Sequence, residues 1–157
     1  FYTRGMSFVD MAYLRKKDLT DGILSYRRRK TKQRMSIRWE RCMQEIVDKY
    51  DSSRSSFLLP IIRPDSCFEE RRQYIYASHN INHSLKALSR RLEMDIPLTM
   101  YVARHSWASI ARSKNIPLAV ISEGMGHESE STTRIYLASL STNIIDEANS
   151  MIIESLF

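Results

Sequence analysis

The sequence predicts an α+β fold that is mainly α-helical, with a small antiparallel β-sheet of two to three strands near the N-terminus. Three observations carry this. Only 4 glycines and 4 prolines interrupt 157 residues, so long regular elements should dominate. Apolar and polar residues alternate between residues 23 and 39, the period of a half-buried strand. Beyond residue 40 the apolar positions fall three and four apart, the period of one helix face. At 43% hydrophobic and 157 residues, the chain has the material for a single buried core.

In chain order, Met6, Val9, Tyr13 and Leu14 lie at helical spacing, and Asp21-Gly22 marks a tight turn. Ile23–Arg27 and Met35–Trp39 alternate and flank a polar tip at Arg28–Arg34, which places Lys30 at or near a hairpin. From Glu40 to Tyr50 a helix is expected, with Met43, Ile46, Val47 and Tyr50 on one face. Ser52–Ser56 reads as a polar loop and Phe57–Pro60 as a short extended piece. Residues 68–93 read as a long helical stretch broken near Ser78–Asn80. Pro97 and Thr99 begin a helix running to about Ser113. Pro117 opens a short one that Gly124-Met-Gly126 ends, and Ser131–Thr133 offers an N-cap for the next. In the tail, Ile144, Ile145, Ala148, Met151, Ile152 and Leu156 form one apolar stripe, and Asn143–Phe157 holds no Lys or Arg. Such a tail caps its own core or docks on a neighbouring subunit.

Composition narrows the function. No apolar run reaches 18 residues, so no membrane span is expected. Cys42 and Cys67 form no CxxC pair, against a disulfide framework or a cysteine zinc site. His79 and His83 are four apart but lack a third ligand or an HExxH pattern, so no metal site is assigned. A basic, reduced, cytoplasmic, helix-rich domain fits this composition. Lys and Arg total 24 against 18 Asp and Glu, a net charge of +6. Residues 1–72 carry 17 basic and 10 acidic side chains, a net +7, and the remainder 7 and 8, a net −1. Much of the excess is one segment containing Arg27, Arg28, Arg29, Lys30, Lys32, Arg34 and Arg38. Such a patch meets phosphate through counterion release, which makes nucleic acid the leading partner class over a merely solvated face.

The informative constellation is Arg104-His105, Gly126-His127 and Thr133-Arg-Ile-Tyr136. Each piece alone is weak; the offsets of 23 residues from Arg104 to His127 and 9 from His127 to Tyr136 raise its weight. On these residues the chain resembles the tyrosine recombinase/integrase family. Arg104-His105-Ser-Trp-Ala-Ser is similar to its second arginine box, and Ile121–His127 to its leucine-glycine-histidine helix end, with Met125 for leucine. Lys30 falls where the family has its hairpin lysine, and Gly5–Leu14 resembles the first arginine box.

The resemblance spans residues 1 to about 140. It implies the tyrosine recombinase catalytic-domain fold and DNA cleavage and rejoining through a 3′-phosphotyrosyl intermediate, without cofactors. Tyr136 would be the nucleophile, Arg104 the phosphate clamp, His127 a hydrogen-bond donor to phosphate and Lys30 the acid for the leaving oxygen. Arg27, Arg28, Arg29, Lys32 and Arg34 would contact DNA. The chain as a whole (1–157) reads as a catalytic domain cut from a longer protein. Its tail, 142–157, would serve assembly into a homo-oligomer, a tetramer on paired DNA sites.

Two positions depart from the pattern, and they resemble a subset associated with Bacteroides-type mobile elements. Tyr101 stands three residues before Arg104, where the family usually has histidine. A phenol still donates to phosphate but is a poorer base. Ser7 stands where the first box has its arginine, a loss worth several kcal/mol of charge stabilisation. Arg4, or another basic residue, is expected to supply the missing charge. Asp10 matches the acidic residue of that box, as an orienter. A DNA-binding regulator that kept the fold and lost cleavage is the alternative that Ser7 and Tyr101 favour.

Overall fold

The computed structural model describes residues 1–137. The tail, 142–157, and the subunit contact expected of it lie outside the described residues.

The chain turns at Arg4 and Gly5, both left-handed, and enters α1 (Phe8–Ala12). Ser7 caps this helix: its Oγ accepts from the Asp10 amide (3.3 Å) and donates to the Asp10 carboxylate (2.6 Å). Met6 and Leu14 of the expected face are buried, with Val9 and Tyr13 half-buried. A 3₁₀ turn (Lys16–Asp18) leads to β1 (Leu19–Thr20), β2 (Ile23–Arg27) and β3 (Arg34–Arg38), an antiparallel sheet in the order β1-β2-β3. Asp21 and Gly22 both take positive φ, the two-residue turn whose twist suits a hairpin. In β3 burial alternates without fault, Met35 and Ile37 inward and Arg34, Ser36 and Arg38 outward. The register ends at Arg27↔Arg34, leaving residues 28–33 as the second hairpin tip, with Lys30 in it.

Five helices follow. α2 (Arg41–Val47) is shorter than its periodicity predicts; Met43 is buried while Ile46 and Tyr50 are exposed. α3 (Glu70–Arg91) runs unbroken for 22 residues, about 33 Å. The break expected at Ser78–Asn80 does not occur, because the helix absorbs its polar residues: Asn82 Nδ2 donates back to the Ser78 carbonyl (3.0 Å). Asn82 Oδ1 meanwhile accepts from the Met100 amide (2.9 Å), tying α3 to the start of α4 (Met100–Ser113). Thr99 caps α4, as its position predicts.

α5 (Leu118–Met125) extends through Gly124, and Gly126 alone ends it in the left-handed conformation. Gly124 lies within the helix and leaves room for Trp107: a Cβ would sit 2.9 Å from the indole. α6 (Glu130–Leu137) starts earlier than expected, with Ser129 rather than Ser131–Thr133 in the cap position, its Oγ 3.5 Å from the Thr132 amide.

Three apolar clusters hold these elements. Met6, Leu14, Leu24, Ile37, Met43 and Leu58 join the sheet to α1 and α2. Ala12, Phe57 and Ile62 close the underside of α1. Ala108, Ile121, Met125 and Leu137 bind α4, α5 and α6 together. Between the sheet side and the helical side lies a cavity of about 810 Å³.

Candidate active site

Arg104 stands at the centre of that cavity, and its side chain joins both sides of the fold. It is buried; Nη1 donates to the Gly5 carbonyl (2.8 Å), and Nη2 to the Met125 carbonyl (2.8 Å) and His127 Nε2 (3.0 Å). Gly5 is required at this contact: it has φ +64°, and a Cβ would lie 2.7 Å from the Arg104 Cα. Three of the five guanidinium N–H groups are thus used to fix the side chain, leaving two for a ligand. Burial lowers its pKa first, and the neighbouring Arg28 charge adds to that, yet an arginine remains cationic under such pressure.

His127 takes its protonation state from these bonds. An arginine has no acceptor, so His127 Nε2 must accept from Arg104; the ring proton is then on Nδ1 and donates to Thr133 Oγ1 (2.8 Å). Thr133, fully buried, is therefore the orienter of His127, where its sequence position suggested only a cap. Burial first, then the charges of Arg104, Arg28 and Lys30, lower the His127 pKa to about 4.

The sign for stability follows. An unfolded histidine protonates near pH 6.5 and the folded one only near 4, so between those values the unfolded chain binds more protons. His105, lowered by burial and then by Arg104, acts in the same direction. The melting temperature is expected to fall as pH drops from 7 to 5, and His127→Gln to flatten that slope. A variant with the wild-type slope contradicts the assignment.

Tyr136 projects from α6 into the same cavity. Its hydroxyl is buried and has no hydrogen-bond partner among the described residues. Burial, and next the Tyr101 phenol, raise its pKa above the usual tyrosine value, while the Arg104 charge pulls the other way. The ring is enclosed by three others. His105 is stacked on it (centroids 4.0 Å apart, 7° between planes), and Tyr101 (5.8 Å) and His127 (5.7 Å) meet it edge-on. Tyr101 itself is exposed and lines the cavity.

The second hairpin supplies the remaining charge, but not as an even basic patch. Lys30 is exposed at the tip and lines the cavity. Arg28 is buried: Nη1 donates to the Gly126 carbonyl, and Nε lies 3.6 Å from Asp10 Oδ2. Gly126 permits this approach, since a Cβ there would lie 2.6 Å from Arg28 Cδ. Asp10, also buried, further accepts from the Arg29 amide (2.7 Å), so one carboxylate anchors the hairpin base. The Arg29 guanidinium lies over the Tyr13 ring, 3.7 Å from its centroid. Arg27 and Arg34, paired at the ends of β2 and β3, and Lys32 in the hairpin tip stay exposed, and none of the three lines the cavity. Arg4 packs beside Gly124 on α5 and does not line the cavity.

The sequence held a signal for Arg28: the two-residue period that buries Leu24 and half-buries Tyr26 puts residue 28 on the same face. His79 and His83 lie along α3, and among the described residues no three His, Cys, Asp or Glu side chains group as metal ligands. Nor is any helix among the described residues long and apolar enough to cross a membrane.

The family model described as the phage integrase family matches residues 1–142. No curated sequence matches the chain. Among solved structures, XerA recombinase superposes with a TM-score of 0.66 at 17% identity, covering 96% of this chain and 53% of that one. XerH site-specific recombinase, in a post-cleavage complex with its palindromic difH substrate, gives 0.66 at 17%, covering 95% and 42%. The Tn1549 transposon integrase in complex with transposon right end DNA gives 0.65 at 13%, covering 98% and 56%. The chain spans about half the length of these proteins and shares their fold.

Proposed function

This chain belongs to the phage integrase family, and from that premise we propose that it is the catalytic domain of a site-specific recombinase acting on double-stranded DNA. The observation that carries the reading is the content of one cavity: two buried guanidiniums, a neutral imidazole, an exposed lysine and a tyrosine hydroxyl without a partner. Two arginines at one cavity, with Asp10 the one buried carboxylate among the described residues, suit a charged oxyanion as ligand.

In the reaction, Tyr136 Oη attacks the scissile phosphorus and the bond to the 5′-oxygen breaks, leaving a 3′-phosphotyrosyl link. The free N–H groups of Arg104 and the Arg28 guanidinium bind the non-bridging oxygens and stabilise the charge that develops there. Lys30 gives its proton to the leaving 5′-oxygen. His127 offers a lone pair on Nε2 rather than a donor in this arrangement, so it receives the Tyr136 proton once Arg104 turns to phosphate. Burial is the first cause of its low pKa; the further lowering by Arg104, Arg28 and Lys30 is the part an incoming phosphate offsets, and to that extent substrate strengthens the base. One phosphoester replaces another, and the exchange runs without metal or nucleotide. The apolar tail stripe supports assembly on paired sites as a homo-oligomer, a tetramer in the fullest form.

A regulator that binds DNA without cutting it is the second reading. It is favoured by Ser7, whose hydroxyl is turned to Asp10, and by the raised pKa of Tyr136. The test incubates the full-length protein with a pool of nicked duplexes randomised across the core, then resolves covalent adducts on a denaturing gel and maps the attachment by mass spectrometry. Adduct on Tyr136 is expected. Bound duplex without adduct establishes the second reading.

A further inference from the structure

We propose that His105 is the positioning residue of the nucleophile, its imidazole plane serving as the platform that aims the Tyr136 hydroxyl. The inference rests on the function proposed above and adds a part that the catalytic constellation does not contain. The two rings are nearly parallel, 7° between planes and 4.0 Å between centroids. His105 does not line the cavity, whereas Tyr136 does, so the imidazole backs the phenol from the side away from the ligand.

The platform is itself braced. Tyr101, one turn earlier on α4, meets His105 edge-on at 4.4 Å and 82°, and meets Tyr136 edge-on as well. Among the described residues the His105 ring makes no hydrogen bond, so its contact with Tyr136 is through its face. The Tyr136 hydroxyl makes no hydrogen bond of full geometry among the described residues, and the phenol that acts on it, Tyr101, belongs to the same cluster of rings. Its aim is therefore set by the ring contacts, and the flat contact among them comes from His105. Arg104 lies between Tyr101 and His105 on the same turn of α4. One turn of helix thus fixes both the phosphate clamp and the line along which the nucleophile approaches it, and a small displacement there is costly in rate.

The test compares His105→Ala with His105→Phe, which keeps a flat ring and removes both nitrogens. Single-turnover adduct formation and DNA affinity are measured for each, together with the NMR signals of the Tyr136 ring in ¹³C-tyrosine-labelled protein. His105→Ala is expected to slow adduct formation about 10- to 100-fold with unchanged affinity and to shift the Tyr136 ring signals. His105→Phe is expected to recover the rate to within about threefold and to keep a stacked ring's upfield shift. If His105→Ala does not fold, His105→Leu, similar in bulk but without a plane, replaces it with the same expectation. An alanine or leucine variant at the wild-type rate overturns the proposal, as does a folded phenylalanine variant as slow as alanine. If wild type forms no adduct, it is the proposed function that fails. The ring signals then decide the positioning role: displacement in alanine with retention in phenylalanine supports it, and unchanged signals in alanine overturn it.

Discussion

Arg28→Ala is expected to lower the single-turnover rate of strand cleavage about 10²- to 10³-fold, the loss that follows removal of one charge-stabilising donor. Arg4→Ala should stay within about threefold of wild type, because a side chain packed beside Gly124, outside the cavity lining, removes no donor from the reacting phosphate. The reasoning starts at Ser7. Its hydroxyl is committed to Asp10 and to the cap of α1, so nothing at that position offers charge to phosphate. Arg28 reaches the same cavity from the hairpin, and Asp10 and the Gly126 carbonyl fix its fork. Removing it also breaks a buried ion pair, a stability loss of about 3–5 kcal/mol that has to be separated from the chemical one. The double variant Ser7→Arg/Arg28→Ala makes the separation, since Ser7 lines the same cavity. A guanidinium returned from α1 should recover about tenfold or more of the rate, although the lost cap costs about 1 kcal/mol. Wild-type cleavage by Arg28→Ala, or an equal loss in Arg4→Ala, would show that the charge comes from elsewhere.

How much of this was legible in the sequence depended on the range of the interactions. The sheet was legible because strand alternation is local: Met35 and Ile37 turn inward by the same period that exposes Arg34 and Ser36. The trio of Arg104, His127 and Tyr136 was legible because two short helices and a glycine cap fix their offsets along the chain. Arg28 was legible only in part: the strand period sets the face it takes, but its place in a conspicuous charge run hides what it meets there. Seven basic residues within a dozen positions look alike until contacts across the chain sort them. Arg28 is drawn inward by a carbonyl 98 residues away, Arg29 is laid over Tyr13, and Lys30 remains free at the tip. Thr133 was read as a capping residue for a similar reason. A threonine at the start of a helix reads as a cap, and only the position of His127 shows what it holds. Continuity of α3 turned on Asn82, whose amide satisfies both its own helix and the start of α4.

Arg104→Lys is expected to reduce cleavage by about 10³-fold or more while leaving DNA affinity within about threefold, since affinity is spread over many phosphate contacts. A lysine keeps the charge and loses the fork. Its ammonium is a point donor that cannot span the Gly5 carbonyl, the Met125 carbonyl and His127 Nε2, which lie on opposite sides of the guanidinium, and still face a phosphate. The unmet carbonyls sit in a buried site, and each carries a cost of about 1–3 kcal/mol. A shift of the urea midpoint should therefore accompany the loss of rate. The two losses have one origin. The bond to Gly5 comes from the segment before α1 and the bond to Met125 from the end of α5, so the side chain proposed as the phosphate clamp also holds the sheet side against the helical side. If the lysine ammonium turns to the carbonyls or the phosphate, Nε2 also loses its fixed acceptor role, and the imidazole is free to change tautomer. Arg104→Lys should consequently cleave slowly even at temperatures where it is fully folded. A folded lysine variant that cleaves at the wild-type rate would show that charge alone suffices at this position, and that the fork serves the fold and not the phosphate.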